Sequence, residues 1–199
     1  MESHSDLTLL SAKLMVMEKE VALKKHIADL ASFVGQDIRI TLNRKSLAKR
    51  PIDGFVVGIG AELLLVHLEQ ACRLDGYSAV RLSDIRSYTV DESFISRAMR
   101  LLKRKPVMPQ GIDLSNWSQL LASSQRLYPL VVIRQEQKDP GCGFFGRMIE
   151  LTPQYVVLEK VDTKGQWIES EQFAFTDITQ VEFDDSYTQA LAYLLAFEA

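Results

Sequence analysis

Apolar and polar positions along the chain follow two periods, and the switches between them come at regular places. Leu23, Ile27, Leu30 and Val34 recur at i, i+4, i+7 and i+11, one face of an α-helix. A helix is therefore predicted over about 11–34, with Gly35 placed to end it. Ile38, Ile40 and Leu42 then alternate with Arg39 and Thr41, the period-two signature of a half-buried strand. Two longer strands are predicted over 54–59 and 62–68, with Gly60-Ala61 in the turn between them. A loop containing Asp75-Gly76 leads to a fourth strand over 79–82. The short break Ser83-Asp84 separates it from a fifth, and a closing helix follows over 92–104.

The same order then returns. A helix over 114–124, with Asp113 or Ser115 as its N-cap, precedes the dense apolar run Leu130-Val131-Val132-Ile133. Strands over 146–151 and 154–160 flank Thr152-Pro153, and Lys164-Gly165 marks a loop. A fourth strand over 172–175, the break Thr176-Asp177, a fifth strand and a closing helix over 185–197 complete the second run. Between the runs lies Pro106-Val107-Met108-Pro109-Gln110-Gly111, which cannot propagate a helix. The expected organisation is thus a first unit over 1–105, a linker over 106–112 and a second unit over 113–199.

The two runs align residue by residue, the signature of an internal repeat. Gly54-Phe55-Val56-Val57-Gly58-Ile59 matches Gly146-Arg147-Met148-Ile149-Glu150-Leu151, 92 residues on. Leu63-Leu64-Leu65-Val66-His67 matches Tyr155-Val156-Val157-Leu158-Glu159. Asp84-Ile85 and Asp91-Glu92-Ser93-Phe94 match Asp177-Ile178 and Asp184-Asp185-Ser186-Tyr187, 93 residues on. The one-residue change falls in a polar stretch where a loop is expected.

A helix followed by five short strands in meander order, with a minimal break between the fourth and fifth, resembles the Sm-like fold, a strongly bent SH3-like small barrel. The resemblance covers about 20–90 and 113–183. It implies a mainly β protein with flanking helices (α+β), made of two tandem five-stranded barrels, each with an N-terminal and a closing helix. In that family the edges of the fourth and fifth strands commonly pair between subunits, building rings that bind single-stranded RNA. The RNA-contacting motifs are not kept. The window Ile59-Gly60-Ala61-Glu62-Leu63-Leu64-Leu65 lacks the expected Asp and Asn. Val80-Arg81 half matches the later motif, but Leu82 stands where its glycine belongs, and Ala174-Phe175-Thr176 keeps nothing. The resemblance implies the fold and not the RNA pocket.

Composition and charge sharpen this picture modestly. The 199 residues are 47% apolar and 25% charged, ordinary for a globular protein. The net charge of −3 divides into about +4 over 1–110 and −7 over 111–199, an asymmetry that marks an interaction surface or lets one half dock on another copy. No run of about 18 apolar residues is present and no signal peptide opens the chain, so a cytoplasmic protein without membrane contact is expected. Cys72 and Cys142, in non-equivalent positions, are read as two free buried thiols.

Candidate chemistry is sparse. Gly141-Cys142-Gly143-Phe144-Phe145-Gly146 spells G-x-G-x-x-G, but a strand and not a helix is expected to follow, so a bent loop is the better reading. Its pair Phe144 and Phe145, expected in an exposed glycine-rich loop, is the best partner-binding feature. Arg97, Arg100, Lys103, Arg104 and Lys105 form the densest basic cluster, with Lys45, Lys49 and Arg50 as a second group. With Arg81, the first cluster is the candidate RNA contact, although no aromatic residues interleave with it for base stacking. Asp84 and Asp177 are read as capping their own turns. His4, His26 and His67 have no ligand-spaced partners. No catalytic residue, metal or cofactor is indicated, and no small-molecule substrate. The expected function is a non-enzymatic binding or scaffold protein acting through protein contact or self-assembly, with an RNA-binding module as the alternative.

Overall fold

The computed structural model describes residues 25–44, 51–91 and 93–197. Most of the first predicted helix, and the group Lys45, Lys49 and Arg50, lie outside the described residues. Helix α1 covers 25–32, and the chain turns away at Gly35, whose φ is +74°. The first five strands are β1 (Arg39–Arg44), β2 (Ile52–Ile59), β3 (Leu63–Gln70), β4 (Arg73–Arg81) and β5 (Ile85–Asp91), with a 3-10 turn Leu82–Asp84 before the last. Helices α2 (Phe94–Leu101) and α3 (Trp117–Ser124) follow. The second five strands are β6 (Val131–Arg134), β7 (Phe144–Leu151), β8 (Tyr155–Val161), β9 (Trp167–Ala174) and β10 (Gln180–Phe183), and α4 (Ser186–Phe197) comes last.

The described residues are mainly β with four α-helices, an α+β architecture. All ten strands pair antiparallel in a single sheet, ordered β5-β1-β2-β3-β4-β10-β6-β7-β8-β9. The two sheets expected from the sequence are one, joined where β4 pairs with β10. Among the described residues it does not close, and β5 and β9 are its edges. The joining has a simple cause: each half ends in a row of unpaired backbone groups, and the two rows satisfy each other.

Each half nevertheless keeps the same internal order, with its fifth strand beside its first. The irregularities also recur. Pairing slips between Val56 and Gly58 in β2 and between Met148 and Glu150 in β7. It slips again between His67 and Glu69 in β3 and between Glu159 and Val161 in β8. Both pairs of bulges lie 92 residues apart, so the two halves bend at matching positions. Gly54 and Gly146 share one reason for being glycine. A Cβ would lie 2.3 Å from the carbonyl oxygen of His67 in one case and 2.4 Å from that of Glu159 in the other.

Strand β3 is buried on both faces. Leu64 and Val66 pack with Leu30 of α1, Ile40, Leu42 and Val56. Leu63 and Leu65 face the other way, into a cluster that also contains Trp117, Val131, Ile133, Phe173 and Phe183 from the second half. The segment after the two prolines contributes Ile112 and Leu114 to that cluster. One hydrophobic core therefore runs across the join.

Several boundaries differ from expectation. Asp75-Gly76 is not a loop but part of β4; the turn lies at Ala71-Cys72, both with positive φ (50° and 62°). Gly76 is needed because the backbone of Asp185 crosses it, 2.4 Å from where a Cβ would stand. Helix α3 is capped by Asn116, whose side chain accepts from the Gln119 amide, and not by Asp113 or Ser115. Asp113 instead accepts from Ser115, one turn earlier. The predicted helix over 92–104 is shorter, because Lys103 takes a left-handed conformation (φ 52°) and unwinds it.

Candidate interaction surfaces

Among the described residues, the join between halves carries the most extended side-chain hydrogen-bond network. Along it Tyr77 pairs with Phe183, Ser78 with Glu182, Ala79 with Val181 and Val80 with Gln180. Arg44, at the end of β1, points into the join and donates two hydrogen bonds to the Glu136 carboxylate, each 2.8 Å. It also donates to the Gln180 side chain (2.8 Å) and the Thr179 carbonyl (3.3 Å). Gln180 passes the network on, donating to Ser78 Oγ and to Glu182, which Arg134 holds from the other side. Burial pushes the Glu182 carboxyl above the usual range, against the pull of Arg134. Asp75 accepts from the Ser186 amide at the start of α4. That favours a helix N-terminus, where backbone amides have no partner of their own.

An aromatic row lies across the same strands. His67 stacks on Tyr77 (centroids 4.3 Å apart), Tyr77 on Phe183 (5.5 Å) and Phe183 on Tyr128 (5.0 Å). The chain over 106–108 closes this row. His67 Nδ1 accepts from the Val107 amide (3.4 Å), and the Tyr77 hydroxyl donates to the Val107 carbonyl (3.1 Å). Burial pushes the His67 imidazole down to about 4.

The open edges differ in character. On β9, Glu169 and Glu171 are both held by Lys160 of β8 (3.0 and 2.8 Å), and Arg147 lies over the Trp167 ring. On β5, Arg86, Thr89 and Val90 are exposed, while Tyr88 packs edge-on against His26 and Phe33 of the α1 region.

The residues singled out by sequence separate into three groups. Arg97, Arg100, Lys103, Arg104 and Lys105 are all exposed, on and just after α2. Arg81 is elsewhere and engaged: it donates to the Phe175 carbonyl, lies 3.7 Å from Asp84 and sits over the Trp117 ring. Phe144 and Phe145 are not in a loop but open β7, half-buried on opposite faces. Phe144 packs on Phe173, and Phe145 on Tyr187 and the Leu130–Val161–Leu191 cluster. Cys72 and Cys142 are free, and partly exposed instead of buried. Asp177 pairs with Lys138 (2.7 Å), so its carboxylate serves a neighbouring loop and not its own turn.

Sequence reasoning missed Arg44, Glu136 and the Arg39 cluster. Arg39 is gripped by Glu69 (2.9 Å) and Asp91 (2.6 Å), with Asp53 at 3.6 Å. The available signal was a pair of arginines bracketing the apolar alternation of β1. Among the described residues, no group of three His, Cys, Asp or Glu side chains could hold a metal ion. No described helix is long and apolar enough to cross a membrane. An open groove of about 580 Å³ beside the join is lined by Gln70, Arg73, Asp75, Asp184, Ser186 and Gln189, among others. Within that lining the Ser186 hydroxyl donates to the Asp75 carboxylate (3.1 Å), which also accepts from the Ser186 amide at the start of α4. Comparison with protein-family models, curated proteins and solved structures finds no match to this chain. What the described residues present is two open strand edges and a run of exposed cations with no ion-pair partner among them.

Proposed function

We propose that the protein is a non-enzymatic scaffold built from two Sm-like units, acting through protein–protein contact and self-assembly at the edges β5 and β9. One observation carries this reading: the β4–β10 join. There the fourth strand of one half meets the fifth strand of the other, and the edges left open are again a fifth strand and a fourth. A second copy laying its β5 on β9 would repeat the join. Shifted by 93 residues, the observed register puts Val90 opposite Ser170, Thr89 opposite Glu171 and Tyr88 opposite Gln172. Such head-to-tail contacts either close a ring or run on as a filament. Glu169 stands where the join has Gly76, which confines the pairing to the residues beyond it. The same reading places the protein in the cytoplasm, where Cys72 and Cys142 stay reduced.

Cross-linking tests both edge and register. With Cys72 and Cys142 replaced by serine, Val90→Cys and Ser170→Cys variants mixed under mild oxidant are expected to give a disulfide-linked dimer, and the double variant a ladder. Monomeric mass at tens of micromolar with no mixed cross-link would sink the proposal. The alternative is an RNA-binding module using Arg97, Arg100, Lys103, Arg104 and Lys105, none of which has a carboxylate partner among the described residues. Titration with labelled single-stranded RNA at two salt concentrations decides it, since phosphate contacts lose affinity steeply with salt. A flat or absent response excludes it.

A further inference from the structure

Helix α2 combines two features that rarely share one surface. Several of its apolar residues face outward: Phe94 is 66% exposed, Leu101 83% and, at its C-cap, Leu102 56%. Ser96 and Met99, on the opposite side, are buried against the body. At 100° per residue, Phe94, Ala98, Leu101 and Leu102 form one contiguous outer face, and Arg97 and Arg100 form its flank. Lys103, Arg104 and Lys105 follow directly after the helix end and are exposed, as is Val107. Among the described residues none of these five cations has an ion-pair partner.

The chemistry of the surface narrows what it meets. A polyanion such as RNA is suited by the cations but gains nothing from exposed leucines and phenylalanine. A second copy of the chain supplies acidic residues, but several of those in its second half already have cations of their own. Glu169 and Glu171 serve Lys160, Glu159 serves Arg147, and Asp177 serves Lys138. A surface that is anionic outside and apolar just beneath satisfies both features at once. Short helices with an apolar face and a cationic flank lie in the headgroup region in this way, with acyl chains against the apolar side and phosphates against the cations. An eight-residue helix presents about 12 Å of such a face.

We propose that α2, with the basic residues that follow it, docks on the surface of an anionic lipid bilayer. This is peripheral contact, separate from the edge pairing described above. Co-sedimentation of the full chain with vesicles of phosphatidylcholine alone and with about one-third phosphatidylserine tests it. Binding is expected to the anionic vesicles only and to weaken with added salt. Arg97→Gln with Arg100→Gln is expected to weaken it at least tenfold, at roughly fivefold per cation. Phe94→Ser with Leu101→Ser should weaken it at least as much, with far-UV circular dichroism unchanged in both variants. No binding to anionic vesicles, or equal binding to the uncharged ones, overturns the proposal. So does binding that survives Phe94→Ser with Leu101→Ser, which would reduce the contact to one any polyanion could make.

Discussion

Replacing Arg44 with alanine is expected to cost about 3–5 kcal/mol of stability in urea unfolding, the range for removing one partner of a buried ion pair. The side chains of Arg44 and Glu136 are only 2% and 7% exposed. Among the described residues, deleting the guanidinium leaves the carboxylate in the core with a single side-chain donor, Thr179 Oγ1 at 2.9 Å. Gln180 loses its main acceptor role at the same time, and with it the anchor for Ser78 and Glu182. Because Arg44 belongs to β1 and its partners to the second half, the damage concentrates at the join. The desolvation argument gives a second, sharper expectation. Arg44→Met combined with Glu136→Leu removes both charges and should recover to within roughly 1 kcal/mol of wild type. If Arg44→Ala alone costs under about 1 kcal/mol, the pair is not what holds the halves together.

How the halves meet is also where the sequence was least informative. The apolar runs located most of the strands, although β4 and β9 begin five or six residues before the expected start, and the 92-residue offset between Gly54 and Gly146 recurs in the structure as a shared close approach to a neighbouring carbonyl. Those signals are local, set by which face of a strand is buried. Which edge a strand joins is not local, and Ala79 or Val181 would read the same at a free edge. Polar residues misled for a related reason. Arg81 sits at a position that resembles an RNA contact, yet the join turns it toward Phe175 and Trp117. Asp75-Gly76 carries a strong turn signal, while the real turn uses Ala71 and Cys72, which carry none. Gly141, Gly143 and Gly146 together suggested one loop around Phe144 and Phe145, but Gly146 is a strand position and the strand starts two residues before it. Asn116 shared its stretch with Asp113 and Ser115, and only the observed helix start shows which one reaches a free amide.

Stability is expected to fall by roughly 3 kcal/mol as pH drops from about 6.5 to 4, with His67 as the cause. The imidazole is held at about 4 in the folded protein by burial, against 6.5 when free. Between those values the unfolded chain binds a proton that the folded chain refuses, so the full stability is present above about 6.5 and drains away toward 4. Charged, His67 would also lose its acceptor for the Val107 amide and would meet no carboxylate in the aromatic row formed with Tyr77 and Phe183. Other groups move on the same axis. Asp91, which accepts from Ser93 and Arg39, is held below the usual range and loses stability only at lower pH, whereas Glu182, raised by burial, gains as pH falls. Comparing wild type with His67→Gln cancels both contributions, because the carboxylates are common to the two proteins. The variant should start less stable, having lost the stack on Tyr77, and then show a flatter pH profile, so that the two curves converge near pH 4. Parallel curves would mean that His67 takes up its proton without strain, and that the segment at Val107 opens to let it do so.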